Sequence, residues 1–469
     1  MKKIQNLFLA NFSLIIVLSI TLYTIVAITV SLNRYWQYQS FYFDFGIFDS
    51  AIWRVSRFEL PLVDHPHFDL EKKIIFADHF NPSLFLLSPL YWITDRREVL
   101  LLVQSFFVGL SAFIGYKISI KIVKNKLIIL ALIISYLGYV GMQNALISDF
   151  HEATILTLPL MVLFWAVLNK KWLIYFISLF IILGLKETFA GLGVGLALFL
   201  LIYNRKYWKY SLLTLLLSIT WALISTRIII PYFSDNNYFY QPVTEKGNII
   251  ANLFYPDTKL KTIFYTYLSF GFLPILDLSL LPAILEHFLE RFVLSSDKRW
   301  DLGLHYNAPL ASLMFISSIF AVSFLEKRLH TKYLTVYGIF IILAVLFLHR
   351  FHLRGPLGLF FNPVFYEQNQ KIAYVDRLIN QSPKNGLIMT QNDLALRLSH
   401  TNVMLLRKEY EKIKPNYVIL NLTPGQNPNS FYPLSYEDAI MLKDRLLEDS
   451  AYNYRSLTEY QFIFERLNE

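Results

Sequence analysis

The chain has 469 residues, of which 55% are hydrophobic and only 16% are charged. This composition excludes a soluble globular protein and is typical of a membrane protein, whose aromatic residues collect at the lipid–water interfaces. Cysteine is absent, which excludes disulfides, thiolate nucleophiles and cysteine zinc sites. The net charge of +9 fits basic loops beside a membrane, and no nucleic-acid partner is expected because no basic stripe stands outside that context.

The apolar pattern predicts an all-α polytopic membrane bundle of about eleven transmembrane helices. Runs long enough to cross a bilayer are 7–31, 99–120, 127–142, 153–168, 172–185, 187–203, 209–230, 306–325 and 332–349. Two further short helices are predicted within 260–293, with a turn near Pro274 to Ser279. The first run is too long for a signal peptide and lacks a small-residue cleavage site, so it predicts a retained anchor helix.

Basic residues mark the loops that face the cytoplasm. The connections rich in Lys and Arg are the N-terminus, 121–126, 169–171, 204–209 and 326–332, and the positive-inside rule places them in the cytoplasm. Threading the spans between them predicts a multi-pass protein of the cytoplasmic (inner) membrane with its N-terminus inside. The long loop 32–98 and the tail 350–469 then lie outside.

The loop 32–98 belongs to a membrane domain, 1–349, and is expected to hold two surface helices. The first runs from about Phe45 to Arg57 and carries an apolar stripe that suits the membrane interface. The second follows Asn81, which would be its N-cap, and has Pro82 at its first position.

The tail, 350–469, is a different kind of sequence. It is polar and has strand-like runs at 386–390, 402–406 and 416–422. A helix follows Ser435, which forms a capping box with Asp438, and the end of the chain reads as a hairpin. The tail is therefore predicted to be a small α/β domain outside the membrane, with a core of its own.

Acids and histidines collect in segments that this topology places at the exterior face. Such groups at one membrane face indicate a site more than they indicate loop decoration. The candidate residues are Asp44, Asp49, Arg54, Asp78, His79, His151, Glu152, Lys186, Glu187 and His305.

Each group also has a purely structural interpretation. Asp44 could cap the following helix, and Asp49, about 140° further round that helix, could be solvated. The segment 64–67, DHPH, is expected to be an exposed turn because it contains proline. Lys186 and Glu187 could neutralise one another.

Motifs of other enzyme classes are missing. The sequence has no phosphate-binding loop and no dinucleotide-binding glycine pattern. The segment HEATI, 151–155, contains only half of the zinc-protease motif H-E-x-x-H.

Five segments in order resemble a known family: FDFGIFDSAIW, ADHFNPSLFLLSPLYWI, DFHEATILTLPL, LKETFAG and HYNAPL. It is a family of prokaryotic predicted membrane proteins, named only as a domain of unknown function, that is grouped with the GT-C glycosyltransferases. The resemblance covers about 30–350 and, more weakly, the tail. It implies a GT-C-like fold and transfer of a sugar from a polyprenyl-phosphate carrier. Asp44 matches the superfamily's hallmark acid, although Phe45 replaces the adjacent second acid of several of these enzymes.

The expected mechanism is an inverting transfer in which Asp44 removes the proton of an acceptor hydroxyl or orients that hydroxyl. The other catalytic candidates are Asp49, His79, His151 and Glu152, and the substrate-binding candidates are Arg54, Asp78, Lys186, Glu187 and His305. Lys186 and Arg54 would meet the lipid phosphate. A divalent metal, Mg²⁺ or Mn²⁺, held by Asp44, His79 or Glu152 is an alternative.

The implied partners are a polyprenyl-phosphate-linked sugar donor, membrane lipid, and a glycan, lipid or protein acceptor. Two other classes of function stay open. A transporter or flippase of a lipid-linked or polar solute would need polar residues at mid-membrane depth and, commonly, repeated halves, and neither is evident. A non-catalytic membrane scaffold would leave the exterior acids and histidines unexplained.

Overall fold

The computed structural model describes residues 11–236, 238, 249–293, 297–367 and 370–467. Its first part is helical. In chain order the α-helices there are α1 (Phe12–Trp36), α2 (Ile47–Ser56), α3 (Glu98–Ile122), α4 (Lys126–Gly138), α5 (Val140–Ile147), α6 (Glu152–Ile155), α7 (Thr157–Leu168), α8 (Trp172–Leu183), α9 (Phe189–Tyr203), α10 (Trp208–Ile224), α11 (Ile230–Phe233), α12 (Ile249–Phe254), α13 (Asp257–Ser269), α14 (Leu281–Phe292), α15 (Ala308–Leu325) and α16 (Thr331–Phe347).

The described residues provide five helices that are long and apolar enough to cross a membrane. They are Phe12–Trp36, Glu98–Ile122, Arg205–Phe233, His305–Leu325 and Thr331–His352. A sixth span is possible if α4 and α5, which meet at a bend of 41°, are taken together. The chain is thus a multi-pass membrane protein.

Eleven spans are not confirmed. The sequence prediction counted as transmembrane helices three apolar runs that form shorter helices, namely Glu152–Leu168, Trp172–Leu183 and Phe189–Tyr203. At about 1.5 Å per residue such helices are shorter than a hydrocarbon core of about 30 Å. The predicted pair within 260–293 exists as α13 and α14, but neither helix is among the candidate spans.

The first loop, residues 37–97, joins α1 to α3. Its first predicted helix is present as α2, and a π-helical turn, Tyr42–Gly46, precedes it. The second is a 3₁₀-helix, Pro82–Trp92, rather than an α-helix, and Asn81 makes no capping hydrogen bond with its side chain. Pro89, inside the segment, removes a backbone donor that an α-helix would need.

The tail forms the predicted α/β domain. Its sheet contains β3 (Ile388–Thr390), β4 (Val403–Leu405), β5 (Tyr417–Asn421), β6 (Tyr452–Thr458) and β7 (Gln461–Arg466), and a separate short pair in the first loop is β1 (Leu62–Val63) and β2 (Lys73–Ile74). The tail helices are α17 (Gln370–Asn380), α18 (Asn392–Arg397), α19 (Tyr410–Ile413) and α20 (Tyr436–Glu448).

The strands of the tail lie in the order β4-β3-β5-β7-β6. β3 pairs in parallel with β4 and β5, whereas β7 pairs antiparallel with β5 and β6. The hairpin and the capping box of Ser435 and Asp438 are confirmed. One apolar cluster, which includes Val418, Leu442 and Phe464, belongs to the tail alone.

The tail packs against the first loop through buried polar contacts. The Arg407 guanidinium lies 3.0 Å from Asp64, and the Leu405 amide donates to the same carboxylate at 2.8 Å. The prediction of an exposed DHPH turn is therefore wrong for Asp64 and His65, which are buried, and holds only for His67. The burial follows from partners about 340 residues away, which no local pattern could indicate.

Candidate functional site

Glu152, the first residue of α6, is the centre of a buried polar cluster. The Lys186 ammonium donates to one of its oxygens at 2.8 Å, and His151 Nδ1 lies 2.7 Å from the other. The ring of His305, at the start of the α15 span, stacks on His151 with 13° between the planes. Burial lowers the pKa of His151 below its usual value, which favours the neutral ring beside Glu152.

A second pair continues this cluster along the turn between α8 and α9. Glu187 lies 2.8 Å from His79 Nδ1 and accepts hydrogen bonds from the Phe80 amide and the Tyr238 hydroxyl, each at 3.2 Å. Lys186 and Glu187 make no direct contact with each other, because each has its own partner across the fold, although each charge still stabilises the other. Adjacent residues point apart, as local geometry requires.

His79 also connects the cluster to other polar residues of the first loop, to which it belongs. Its Nε2 lies 4.0 Å from Asp78, and the other oxygen of Asp78 lies 3.5 Å from His65 Nε2. All three side chains are buried. The structure thus brings Asp78, His79, His151, Glu152, Lys186, Glu187 and His305 into one connected region, as the sequence predicted for groups at one end of the helices.

Asp44 faces this region from the π-helical turn before α2. Its side chain is partly exposed, and no hydrogen bond or ion pair to its carboxylate comes from any residue that the structure describes. Burial, followed by the negative charges of Asp149 and Glu152, raises its pKa to about 7. The capping interpretation is wrong, because Gly46 stands at the N-cap of α2 and no side chain caps that helix. π-Helical turns recur at functional sites.

Asp149 is a further acid beside Asp44 that the sequence analysis had not selected as a site residue. It has a left-handed backbone, with φ of 70°, and its carboxylate accepts from the Phe41 amide at 3.1 Å. Burial raises its pKa to about 6. The motif SDFHE contains it, so the only signal in the sequence was its position next to His151.

Asp49 lies apart from the cluster, at the contact between the first loop and the tail. The hydroxyls of Tyr91 and Ser399 donate to its carboxylate, His400 Nε2 lies 3.0 Å away and Arg97 Nε lies 3.8 Å away. The side chain is buried, so the solvated interpretation is wrong. Burial opposes its charge, yet the His400 and Arg97 groups hold its pKa below the usual value.

Arg54 is also engaged elsewhere. Its guanidinium lies 3.0 Å from the carboxylate of Glu59 in the same loop. This contact uses one guanidinium nitrogen, and a role of Arg54 in phosphate binding stays a prediction.

A small polar cavity of about 40 Å³ adjoins the Glu152 cluster. His151, Glu152, Lys186 and His305 line one side, and α14 contributes Glu286, His287 and Glu290 to the lining. Burial and the neighbouring Glu290 raise the pKa of Glu286 to about 8. Sequence reasoning missed these residues, although their spacing on an amphipathic helix, with acids at i and i+4, was a usable signal.

The predicted metal ligands do not form a metal site in the described residues. No group of three His, Asp or Glu side chains there is arranged to hold a metal ion. His79 Nδ1 faces Glu187, one oxygen of Glu152 accepts from Lys186, and the other lies 2.7 Å from His151 Nδ1. Metal binding stays a prediction, and no step below depends on it.

The chain matches a family described as predicted membrane protein (DUF2079) over residues 34–454. It belongs to the DUF2079 family. No curated protein matches the sequence. The DUF2079 match begins before the Asp44 turn and ends inside the last hairpin, so it includes both the polar cluster and the tail that packs beside it.

Proposed function

We propose that this DUF2079 protein is an integral membrane glycosyltransferase. It transfers a sugar, with inversion, from a polyprenyl-phosphate-linked donor to an acceptor on the exterior face of the cytoplasmic membrane. The observation that carries the proposal is the Asp44 carboxyl, which is partly exposed and has a pKa of about 7. A general base works best when its pKa lies near the operating pH.

The chemistry assigned to Asp44 is removal of one proton. The acceptor oxygen bonds to the anomeric carbon of the sugar while its proton passes to the Asp44 carboxylate. The bond between that carbon and the phosphate oxygen breaks, and its electron pair stays on the lipid phosphate. Because the phosphate leaves as an anion, the step needs no protein acid.

Lys186 is the cation best placed to meet the departing phosphate. An ammonium group has three N–H donors, and Glu152 takes one of them at 2.8 Å. Lys186 also lines the polar cavity, so its remaining donors are available to a phosphate oxygen. His151 and Glu152 fix its position from the other side.

The resemblance to the GT-C enzymes supports the same assignment. Asp44 stands at the hallmark position, early in the loop after the first span. A lipid-linked donor also suits the setting, because its tail stays in the bilayer while its phosphate lies at the interface.

Mass spectrometry of lipid-linked sugars and surface glycans tests the proposal. Cells that produce the protein are compared with cells that lack it and with cells that carry Asp44→Asn. We expect one glycan product to disappear, and its lipid-linked donor to accumulate, in both the deletion and the variant. Identical glycan and donor profiles in all three strains would refute the enzyme assignment, and a solute imbalance without a missing product would favour transport.

A further inference from the structure

A second, larger cavity lies in the tail, remote from the polar cluster in sequence. It measures about 460 Å³, within the range of roughly 300–1,000 Å³ typical of ligand sites. The residues that matter for its chemistry are Gln426, Pro428, Phe431, Leu434, Tyr436 and Glu437. We call it the tail cavity.

Its aromatic wall is rigid. The rings of Phe431 and Tyr436 meet edge to face with centroids 5.1 Å apart. The Tyr436 hydroxyl donates to the Leu422 carbonyl at 3.0 Å, which fixes the ring. Phe431 is itself buried, so the partly exposed ring of Tyr436 is the surface on which the C–H face of a sugar ring can pack, at little cost in entropy.

The polar groups of the cavity favour a neutral ligand. Gln426 donates to the carbonyls of Asn421 and Thr423 at 2.7 and 2.9 Å, so its side chain is held in place. Glu437 is exposed at the rim and can accept hydrogen bonds from hydroxyl groups. Its negative charge would repel a phosphate or carboxylate ligand.

The wall of the tail cavity is tied directly to the turn that carries Asp44. The Asn392 side chain accepts from the Phe43 amide at 2.8 Å and donates to the Asn429 carbonyl at 3.0 Å. The ring of Tyr432, from the same wall segment, lies 4.9 Å from the ring of Phe43. One stretch of chain thus borders the cavity and contacts the neighbour of Asp44.

We infer that the tail cavity binds a neutral sugar unit of the acceptor, at a distance from the hydroxyl that reacts. The role of this sugar as part of the acceptor rests on the proposed function, but sugar binding itself can be measured without turnover. The tail would then select glycans that already carry a matching unit and hold them beside Asp44.

The test is a titration of the purified full-length protein in detergent, followed by saturation-transfer NMR. The probes are the methyl glycosides of glucose, galactose, mannose and N-acetylglucosamine, with glucuronate as a charged probe. We expect at least one neutral glycoside to bind, and Leu434→Trp, which fills the cavity, to weaken that binding at least ~10-fold. Glu437→Lys, at the exposed rim, provides a second variant should Leu434→Trp fail to fold.

Matched controls separate the two ideas. Glu448→Gln, at the exposed far end of α20, should leave sugar binding unchanged, and so should Asp44→Asn. The inference would be overturned if no neutral glycoside binds, or if glucuronate binds more tightly than the neutral glycosides. It would also be overturned if both cavity variants bind the glycoside as tightly as the wild type does. Sugar binding by a wild-type protein that shows no transfer activity would instead count against the glycosyltransferase proposal alone.

Discussion

Asp44 and Asp49 are five positions apart, but their surroundings and the directions of their pKa shifts are opposite. Asp44 is partly exposed and has no partner among the described residues, whereas Asp49 is buried and meets Tyr91, Ser399 and His400. The pKa of Asp44 is raised to about 7, and that of Asp49 is lowered. Burial raises the pKa of both carboxylates, and the neighbouring charges and hydrogen-bond donors of Asp49 keep that residue ionised.

The contrast separates two roles. A carboxylate whose donors are all supplied by the protein is a structural anchor, since a buried charge without them is strongly destabilising. A carboxylate left without donors, among other acids, is ready to take a proton. We therefore expect changes at Asp44 to affect chemistry and changes at Asp49 to affect the docking of the tail.

The largest expected effect on turnover comes from Asp44→Asn. It removes the proton acceptor while keeping the size of the side chain, so turnover should fall at least ~100-fold, the range for loss of a general base. The melting temperature should stay that of the wild type. Asp69→Asn, an exposed acid of the same loop, is the control and should be fully active. Wild-type turnover in Asp44→Asn would contradict the assignment of Asp44 as the catalytic one of the two aspartates.

A smaller loss is expected for Glu152→Gln. The amide can no longer balance the Lys186 charge, so the ammonium shifts and turnover falls by up to about 100-fold, the cost of a misplacement of roughly 1 Å. The loss of turnover in His79→Ala should also lie between the losses caused by Asp44→Asn and by the change at Asp49. Steady-state kinetics check this, and a loss confined to KM would show that Glu152 serves binding alone.

Asp49→Ala should lower turnover less than either change, and its main effect should be on stability. Removing one partner from a buried charged group costs about 3–5 kcal/mol, here by stranding Arg97 and His400 at the tail contact. Limited proteolysis should cut the tail faster than in the Asp69→Ala control. A normal proteolysis rate together with lost turnover would reverse the roles of the two acids.

The smallest expected effect is a shift in pH dependence. A base with a pKa of about 7 is ionised above that pH, so turnover should rise through pH 7 and then level off. Asp149→Asn removes a negative charge that raises the pKa of Asp44, so the rise should move to lower pH. If the rise in turnover moves to higher pH, or does not move, the rise is due to the ionisation of another group.

Local patterns predicted much of the tail and part of the polar cluster. The strands of the tail, its hairpin and its capping box follow from alternation and turn residues, which are short-range properties. The clustering of His79, Glu152 and Lys186 followed from placing segments at one end of the helices.

Pairings between distant segments could not be predicted. Asp49 was an open choice because its partners Ser399 and His400 lie about 350 residues along the chain. Lys186 pairs with Glu152 rather than with its neighbour Glu187 because the turn after α8 points the two side chains apart. The predicted number of spans is not confirmed for another reason, since hydropathy alone does not reveal where a helix ends.

Protonation of Asp44 near neutral pH is the property that distinguishes a catalytic base from a structural carboxylate. Difference infrared spectroscopy follows the carbonyl band of protonated carboxylic acids as pH is raised, and subtraction of the Asp44→Asn spectra isolates one residue. The account predicts a band that disappears with a midpoint near pH 7, is missing in Asp44→Asn and persists in Asp49→Asn. A band that is unchanged in Asp44→Asn, or that is lost only in Asp49→Asn, would contradict it.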